Sequence, residues 1–327
     1  MIKIAVDCMG GDNGSEIVVS AIKTFKQNNP SISIAAVGKK EELKDLENIA
    51  EIIDAREVIP MDAGALQVMR MKDSSMNKAL KLMKDEHYDA VVSCGSTGGF
   101  LSASTLILKL IPGVKRAALV TPFPTKIKGK KVTLLDIGAN NENSSDELVQ
   151  FAKMGRLYSQ AVFGIKEPKV YLLSNGAEEE KGAPEVKEAH KLLKEMNFPN
   201  FEGNIEARYV LDGNADVVVS DGYTGNIFLK GTEGAAKFLG GMIKKAFKKN
   251  LWTKLGYLHV KKGIDEINET MNYKSAGGAM LLGVNGVVVK GHGNSDAYAF
   301  SCALEVAKKL AMSNIVNAIK EGMTKDE

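Results

Sequence analysis

Cysteine is scarce in this 327-residue chain: Cys8, Cys94 and Cys302 are an odd number with no CxxC spacing. Each lies in or beside an apolar segment, which argues against a disulfide framework or a zinc site and leaves reduced, mostly buried thiols. Histidine is nearly as thin, and His87, His190, His259 and His292 are scattered, none beside a Ser or Cys in a nucleophile motif. GxSxG is missing, which argues against Ser-His-Asp catalysis, and so is GxxxxGK[ST], which removes support for a nucleoside-triphosphate loop. Apolar runs such as VNGVVV and DAVVSC fall far short of the roughly 20 residues of a membrane span. Together with the strand-like start IKIAVD, this suggests a cytoplasmic protein with no integral anchor. A formal charge of +3 is too small to indicate a nucleic-acid binder. No Pro-, Gly- or Ser-rich linker, low-complexity tract or internal repeat divides the chain, so it reads as one unit.

What is present is one pattern used five times. IKIAVDCMGGD, DAVVSCGSTGG, KVTLLDIGANN, KVYLLSNGAEEEKG and ADVVVSDGYTGN each run four to six apolar, often β-branched residues into a loop of Gly, Asp, Ser and Asn. Helical periodicity follows most of them, as in SSDELVQFAKMGRLYSQ, where Ser144 or Ser145 can cap, and APEVKEAHKLLKEM, where Pro184 suits a first turn. Such alternation predicts a mostly parallel sheet covered by helices on both faces. Ligands of these sheets bind beyond the carboxyl ends of the strands, so five glycine-containing elbows would converge on one crevice.

Gly-rich loops entering helix N-termini present unpaired N–H groups and the positive end of the helix dipole, which suits phosphate or another anion. The elbow residues are also open to a second reading, as tight turns required by packing. In CGSTGG, Ser96 and Thr97 add hydroxyls to the backbone donors. Lys181, in EEEKG, follows three carboxylates that would keep its ammonium charged, and could bind phosphate or neutralise an oxyanion. Thr224 and Asn226 could donate to a carbonyl oxygen or cap a helix. Asp7, Asp12, Asp136 and Asp221 suit either a magnesium cage or backbone capping. GHGNSDA, residues 291 to 297, starts like a dinucleotide fingerprint, but Asp296 stands where the third glycine belongs. His292 in that loop is the only histidine placed like a site residue.

IAVDCMGGDNG, KDSSM, VSCGSTGGFLSA, LLDIGANNE, EEEKG, FEGNIEAR, DVVVSDGYTGNIFLKGTEG and YKSAGGAMLLGVNGVVVKGHGNSD follow in order the motifs of the PlsX family, the bacterial phosphate acyltransferases of phospholipid synthesis, and the resemblance covers nearly the whole chain. It implies transfer of a fatty acyl group from acyl carrier protein to inorganic phosphate. It also implies a homodimer, no metal or organic cofactor, and a three-layer α/β/α fold like that of isocitrate and isopropylmalate dehydrogenases. The family's proposed catalytic lysine and asparagine fall on Lys181 and Asn226. Phosphate and substrate would lie against Asp7, Gly10 and Gly11 at the first elbow and Ser96, Thr97 and Gly98 at the second. Asn140 would contribute from the third, Asp221, Thr224 and Gly225 from the last, and His292 from its own loop. The chain departs from the family at Cys8, usually Ala, at Ser96, usually Asn, at Gly99, usually Ala, and at Ser174, usually Asn. Cys8 therefore has no catalytic claim, and the shorter Ser96 weakens a direct role for its position.

A separate segment, residues 240 to 262, carries Ile243, Phe247, Leu251 and Leu255 at every fourth position. Lys244, Lys245, Lys248, Lys249 and Lys254 lie mostly off that stripe, and the chain's only Trp, Trp252, is here too. A basic amphipathic helix of this kind suits a membrane surface or an acidic partner, or packs its stripe on the core or a dimer interface. Through the resemblance, acyl carrier protein and peripheral attachment to the inner face of the cell membrane both fit it. The competing classes are an oxidoreductase on the related fold, a phosphotransacetylase acting on short acyl groups of coenzyme A, and a non-catalytic lipid or carrier-protein binding module.

Overall fold

Short buried strands build the centre. In the computed structural model, which describes residues 1–271 and 277–324, β1 (Lys3–Asp7), β4 (Ala90–Ser93), β9 (Val217–Val219) and β11 (Val287–Lys290) are buried almost throughout. With β2 (Ser33–Gly38), β3 (Glu51–Asp54), β5 (Ala118–Pro124), β6 (Lys131–Leu135), β7 (Val170–Ser174), β8 (Phe201–Glu206) and β10 (Ala279–Leu282) they form one sheet. Its order is β3-β2-β1-β4-β11-β10-β5-β6-β9-β7-β8. Side chains alternate between its faces: Ile4 and Val6 join one apolar core, Ala5 the other. Helices α1 (Gly14–Asn28), α5 (Ser145–Phe163), α9 (Ala297–Met312) and α10 (Ile315–Thr324) cover the first core through Phe25, Phe151, Phe300 and Ile319. Helices α2 (Ala65–Arg70), α3 (Ser75–Glu86) and α4 (Thr97–Leu108) cover the second through Val68, Leu80 and Phe100. The sheet is thus the middle of three layers, as the alternation of strands and helices predicts. Ser144, not Ser145, caps α5, in a reciprocal box with Glu147. Pro184 opens α6 (Pro184–Glu195).

Strand direction decides where the elbows go. β3, β2, β1, β4 and β11 are mutually parallel, as are β6, β9, β7 and β8. Between the two groups β10 is antiparallel to β11 and to β5, and β5 is antiparallel to β6, so the groups run in opposite senses. β5 spans both: Ala118–Val120 pair with β10, Thr121–Pro124 with β6. Lys290, ending β11, pairs with Ala279, next to the Met280–Val120 pair, while Leu134 of β6 pairs with Thr121. The carboxyl ends of the two groups therefore face each other across the middle of β5.

Beyond the sheet, α7 (Gly222–Phe247) and α8 (Leu251–Met271) form a helical hairpin. The fourth-residue stripe predicts continuity through Leu251, but a turn interrupts it. The Asn250 side chain accepts from the Thr253 N–H at 2.9 Å and starts a new helix. Phe247 meets Tyr257 edge-on at 5.4 Å and ties the two helices together. Among the described residues no helix is long and apolar enough to cross a membrane. The YKSA that opens the last motif lies outside the described residues.

Candidate active site

The first elbow is held by a buried carboxylate. Asp7 accepts from the Met9 N–H at 3.1 Å and the Ser93 hydroxyl at 2.6 Å, and Ser93 Oγ in turn accepts from the Gly95 N–H at 3.0 Å. A Cβ on Gly10 would stand 2.7 Å from Gly95 Cα, so the loops after β1 and β4 touch backbone to backbone. Gly11 approaches the Gly293 carbonyl, which accepts from the Asp12 N–H at 2.9 Å and draws the loop after β11 into the group. Ser96 is buried and occupied: its hydroxyl donates to the Met61 carbonyl at 2.9 Å and accepts from the Gly99 N–H at 3.1 Å, capping α4. Donors toward open space come instead from the first turn of α4, at half-buried Thr97 and exposed Gly98, where an added Cβ would meet nothing within 4 Å.

Opposite them, Asp136 is fully buried and takes five N–H bonds. Leu119, Gly138 and Ala139 donate to Oδ1, and Asn140 donates to Oδ2 through both its backbone and its side chain, all at 2.8–3.1 Å. Burial pushes this carboxyl's pKa up, and the amide bonds oppose that rise. Asn140 Nδ2 also reaches the Ala117 carbonyl at 2.8 Å, so Asn140 builds the loop. The start of α7 lies directly on it. A Cβ on Gly222 would collide with the Asn140 carbonyl oxygen, and one on Gly225 with that of Asp136. Close helix–loop packing thus accounts for both glycines. Asp221 caps α7, its Oδ1 accepting from the Thr224 N–H at 2.8 Å.

What this packing leaves on the surface is Asn226. Its exposed carboxamide lies over Gly138, with Cγ 3.4 Å from where a Cβ would stand, and bonds no described residue. Thr224 is exposed beside it. Lys181 projects from the loop after β7, the strand paired with β9 at Leu172–Val219, so both leave the same sheet edge. That loop is fixed by the Gly182 N–H on Asn175 Oδ1 at 2.9 Å and by Asn204 Nδ2 on the Glu178 carbonyl at 2.8 Å. The stem of Lys181 lies over Gly176, and its ammonium forms no ion pair among the described residues. The neighbouring acids do not clasp it as their spacing suggests, since Glu179 pairs with Lys194.

His292 is exposed in the loop after β11, and its Nε2 lies 3.3 Å from Lys230 Nζ of α7, a contact joining the two groups of strands. Partial desolvation of the ring and the Lys230 ammonium lower its pKa. Two cations of this region lie inside the family's motifs without being singled out by them. Lys230 lies in an ordinary helical stretch, and Lys290 ends the apolar run VVVK. Lys290 is 8% exposed and donates to the Gly291 carbonyl. Burial depresses its pKa against the pull of Cys94, Asp12 and Asp7. The Cys94 thiol is pushed up to about 11 by burial, which keeps it protonated and inert. Asp7, Asp12, Asp136 and Asp221 serve backbone turns and caps or separate positions. Among the described residues no three His, Cys, Asp or Glu side chains gather as a metal site requires. Asp296 caps α9 through the Ala299 N–H at 2.9 Å, where a dinucleotide loop would place glycine.

An exposed lysine, an unpaired carboxamide and open helix-start N–H groups, set where two groups of strand ends face each other, suit an anion and a polarised carbonyl. The family described as fatty acid synthesis protein matches residues 2–318. Over 322 residues the chain is 41% identical to the phosphate acyltransferase of Staphylococcus haemolyticus, covering 98% of each. It is equally identical to that of Staphylococcus epidermidis, covering 98% of this chain and 99% of the relative. Among solved structures, a phosphotransacetylase from Streptococcus pyogenes aligns with a TM-score of 0.62 at 19% identity, covering 95% of this chain and 94% of that one. A branched-chain phosphotransacylase from Enterococcus faecalis aligns at 0.60 with 15% identity, covering 95% and 99%; at such identities the likeness is one of fold. From the family match and the full-length relatives together, the chain belongs to the PlsX family, the phosphate acyltransferases of fatty acid and phospholipid synthesis.

Proposed function

We propose that the protein transfers a long fatty acyl group from acyl carrier protein to inorganic phosphate. The observation that carries this reading is the placement of Lys181 and Asn226, both exposed and unpaired, on adjacent strand ends of one group, with the helix-start donors of Thr97 and Gly98 on the group that runs the opposite way. Phosphate sits on the elbow N–H groups and Lys181. One of its oxygens attacks the thioester carbonyl, forming a C–O bond. Asn226 donates to the carbonyl oxygen as negative charge develops there, and the tetrahedral adduct collapses with cleavage of the C–S bond. The carrier thiolate leaves and takes a proton from water, leaving acyl phosphate. A thioester is already activated, so positioning and charge neutralisation suffice, and no step calls for a metal, an organic cofactor or a covalent enzyme intermediate.

Asp7, Gly10, Gly11, Ser96, Asn140, Asp221 and Gly225 serve this reaction by shaping the loops. Thr97, Gly98, Thr224 and His292 face it. The α7–α8 hairpin supplies the other half of the reading. It carries Leu251 at 72% and Trp252 at 81% exposure among surface lysines, which fits peripheral attachment to the inner face of the cell membrane, where acyl phosphate is consumed. The remaining apolar hairpin surface fits a homodimer contact.

The test is the substrate profile. Purified protein with phosphate is expected to release carrier thiol and form acyl phosphate from long-chain acyl carrier protein, with little turnover of acetyl coenzyme A. Turnover of acetyl coenzyme A alone would instead make it a phosphotransacetylase.

A further inference from the structure

The Lys230–His292 contact is chemically incomplete. An ammonium only donates, and a neutral imidazole has one donor and one acceptor nitrogen. Two donors reach this ring: Lys230 Nζ at 3.3 Å from Nε2, and the Asn294 N–H at 3.4 Å from Nδ1. If Nε2 carries the hydrogen, it points at the ammonium; if Nδ1 carries it, it points at the Asn294 N–H. Either tautomer leaves one N–H facing another. Protonating the ring sets two cations 3.3 Å apart, and burial, Lys230 and Lys290 together oppose that charge, with Glu233 the one charged group favouring it. Glu233 stands 3.7 Å from Lys230 Nζ, beyond hydrogen-bond length, and steadies the lysine without supplying an acceptor. An oxyanion bridging Nζ and Nε2 from the side, with the flexible lysine head turned toward it, would accept from both and remove the mismatch.

The location fits that guest. Lys230 lies one turn beyond Asn226, so the two share a face of α7. His292 sits on the loop fastened to the β1 elbow through the Asp12–Gly293 bond and to β4 through the Gly291 N–H on the Ser93 carbonyl at 2.9 Å. Buried Lys290 adds positive charge behind the loop.

We infer that Lys230 and His292 form a two-pronged clamp, one prong from each group of strands, that holds the inorganic phosphate beside Asn226. The inference rests on the proposed acyl transfer to phosphate and adds Lys230 as a phosphate-binding residue paired with His292. Anion binding here also ties the two groups of strands together, so phosphate would order the crevice before the thioester enters.

The experiment compares Lys230→Gln, His292→Gln and the double variant with the wild type. The readouts are the Michaelis constants for phosphate and for acyl carrier protein, and calorimetric binding of inorganic phosphate alone. Loss of one charge-assisted hydrogen bond is expected to weaken phosphate by about tenfold to a hundredfold in both assays, with the constant for acyl carrier protein unchanged. The double variant should be little worse than either single one, and Lys230→Arg should retain most of the affinity. Unchanged phosphate binding, or a rise confined to acyl carrier protein, overturns the clamp. If the wild type makes no acyl phosphate, the calorimetric arm still decides the clamp while the proposed reaction falls.

Discussion

The first turn of α7 and the rest of the α7–α8 hairpin are made from similar residues under opposite constraints. Gly222 and Gly225 are the only buried residues of α7, pressed on the loop after β6. Past that turn Gly231, Gly234, Gly240 and Gly241 face open space, while Phe238, Leu239 and Met242 are exposed. In the first turn glycine permits two backbones to touch. Farther along, glycine only loosens a helix whose apolar surface is exposed. The same residue type in one helix therefore marks a site in one place and a free surface in another.

The sharpest way to break this contrast is Gly225→Ala. Its Cβ would run into the Asp136 carbonyl, so it should cost about 3 kcal/mol of stability, read as a fall in the urea midpoint. Wild-type stability would mean that the helix start does not rest on that loop.

Lys181→Met should leave the urea midpoint in place, since the ammonium has no ion pair to lose, and lower kcat by about a hundredfold to a thousandfold. A matched loss of stability would make Lys181 structural. In the hairpin, the paired substitution Leu251→Glu and Leu255→Glu should release the protein from anionic vesicles while acyl transfer to phosphate in solution stays within about twofold, because each added carboxylate opposes burial in lipid. Unchanged co-sedimentation would remove the membrane role.

Acid should weaken the sheet region through His190, which is 4% exposed and stacked edge-on against Phe201. Burial lowers its pKa in the folded state. Stability is therefore full above the unfolded value of about 6.5 and declines as pH falls from there through the folded value. His190→Gln should flatten that part of the pH–stability profile, and an unchanged slope would exonerate His190. The smallest effect belongs to Gly234→Ala in the open part of α7, a gain of about 0.5–1 kcal/mol. A loss there would show that this face is already packed against another chain.

Much of this was legible in the residues because near-continuous apolar strands and capped helices carry local signals. Ser144, Pro184 and the glycine elbows follow from chemistry within a few positions. The head-on meeting of strand ends was not, because it depends on β10 and β11 inserting between β4 and β5 and on β5 and β6 running antiparallel, pairings made far along the chain. Lys290 was hidden for a similar reason, since a lysine closing VVVK reads as a strand leaving the core, whereas β4 and the β1 elbow bury it. Lys181 and Asn226 stood out by motif, but only folding shows that their neighbours leave both unpaired. For Gly225 phosphate binding and packing were both readable, and the collision of a Cβ with the Asp136 carbonyl shows the packing requirement that the sequence left open.

The most direct measurement follows carrier thiol and acyl phosphate together, in EDTA, from long-chain acyl carrier protein with and without inorganic phosphate, for the wild type and a folded Lys181→Met. Thiol and acyl phosphate should appear in equal amounts, only with phosphate, and be nearly lost in the variant. Thiol release without phosphate, or full activity in Lys181→Met, would contradict direct attack by a phosphate held at the facing strand ends.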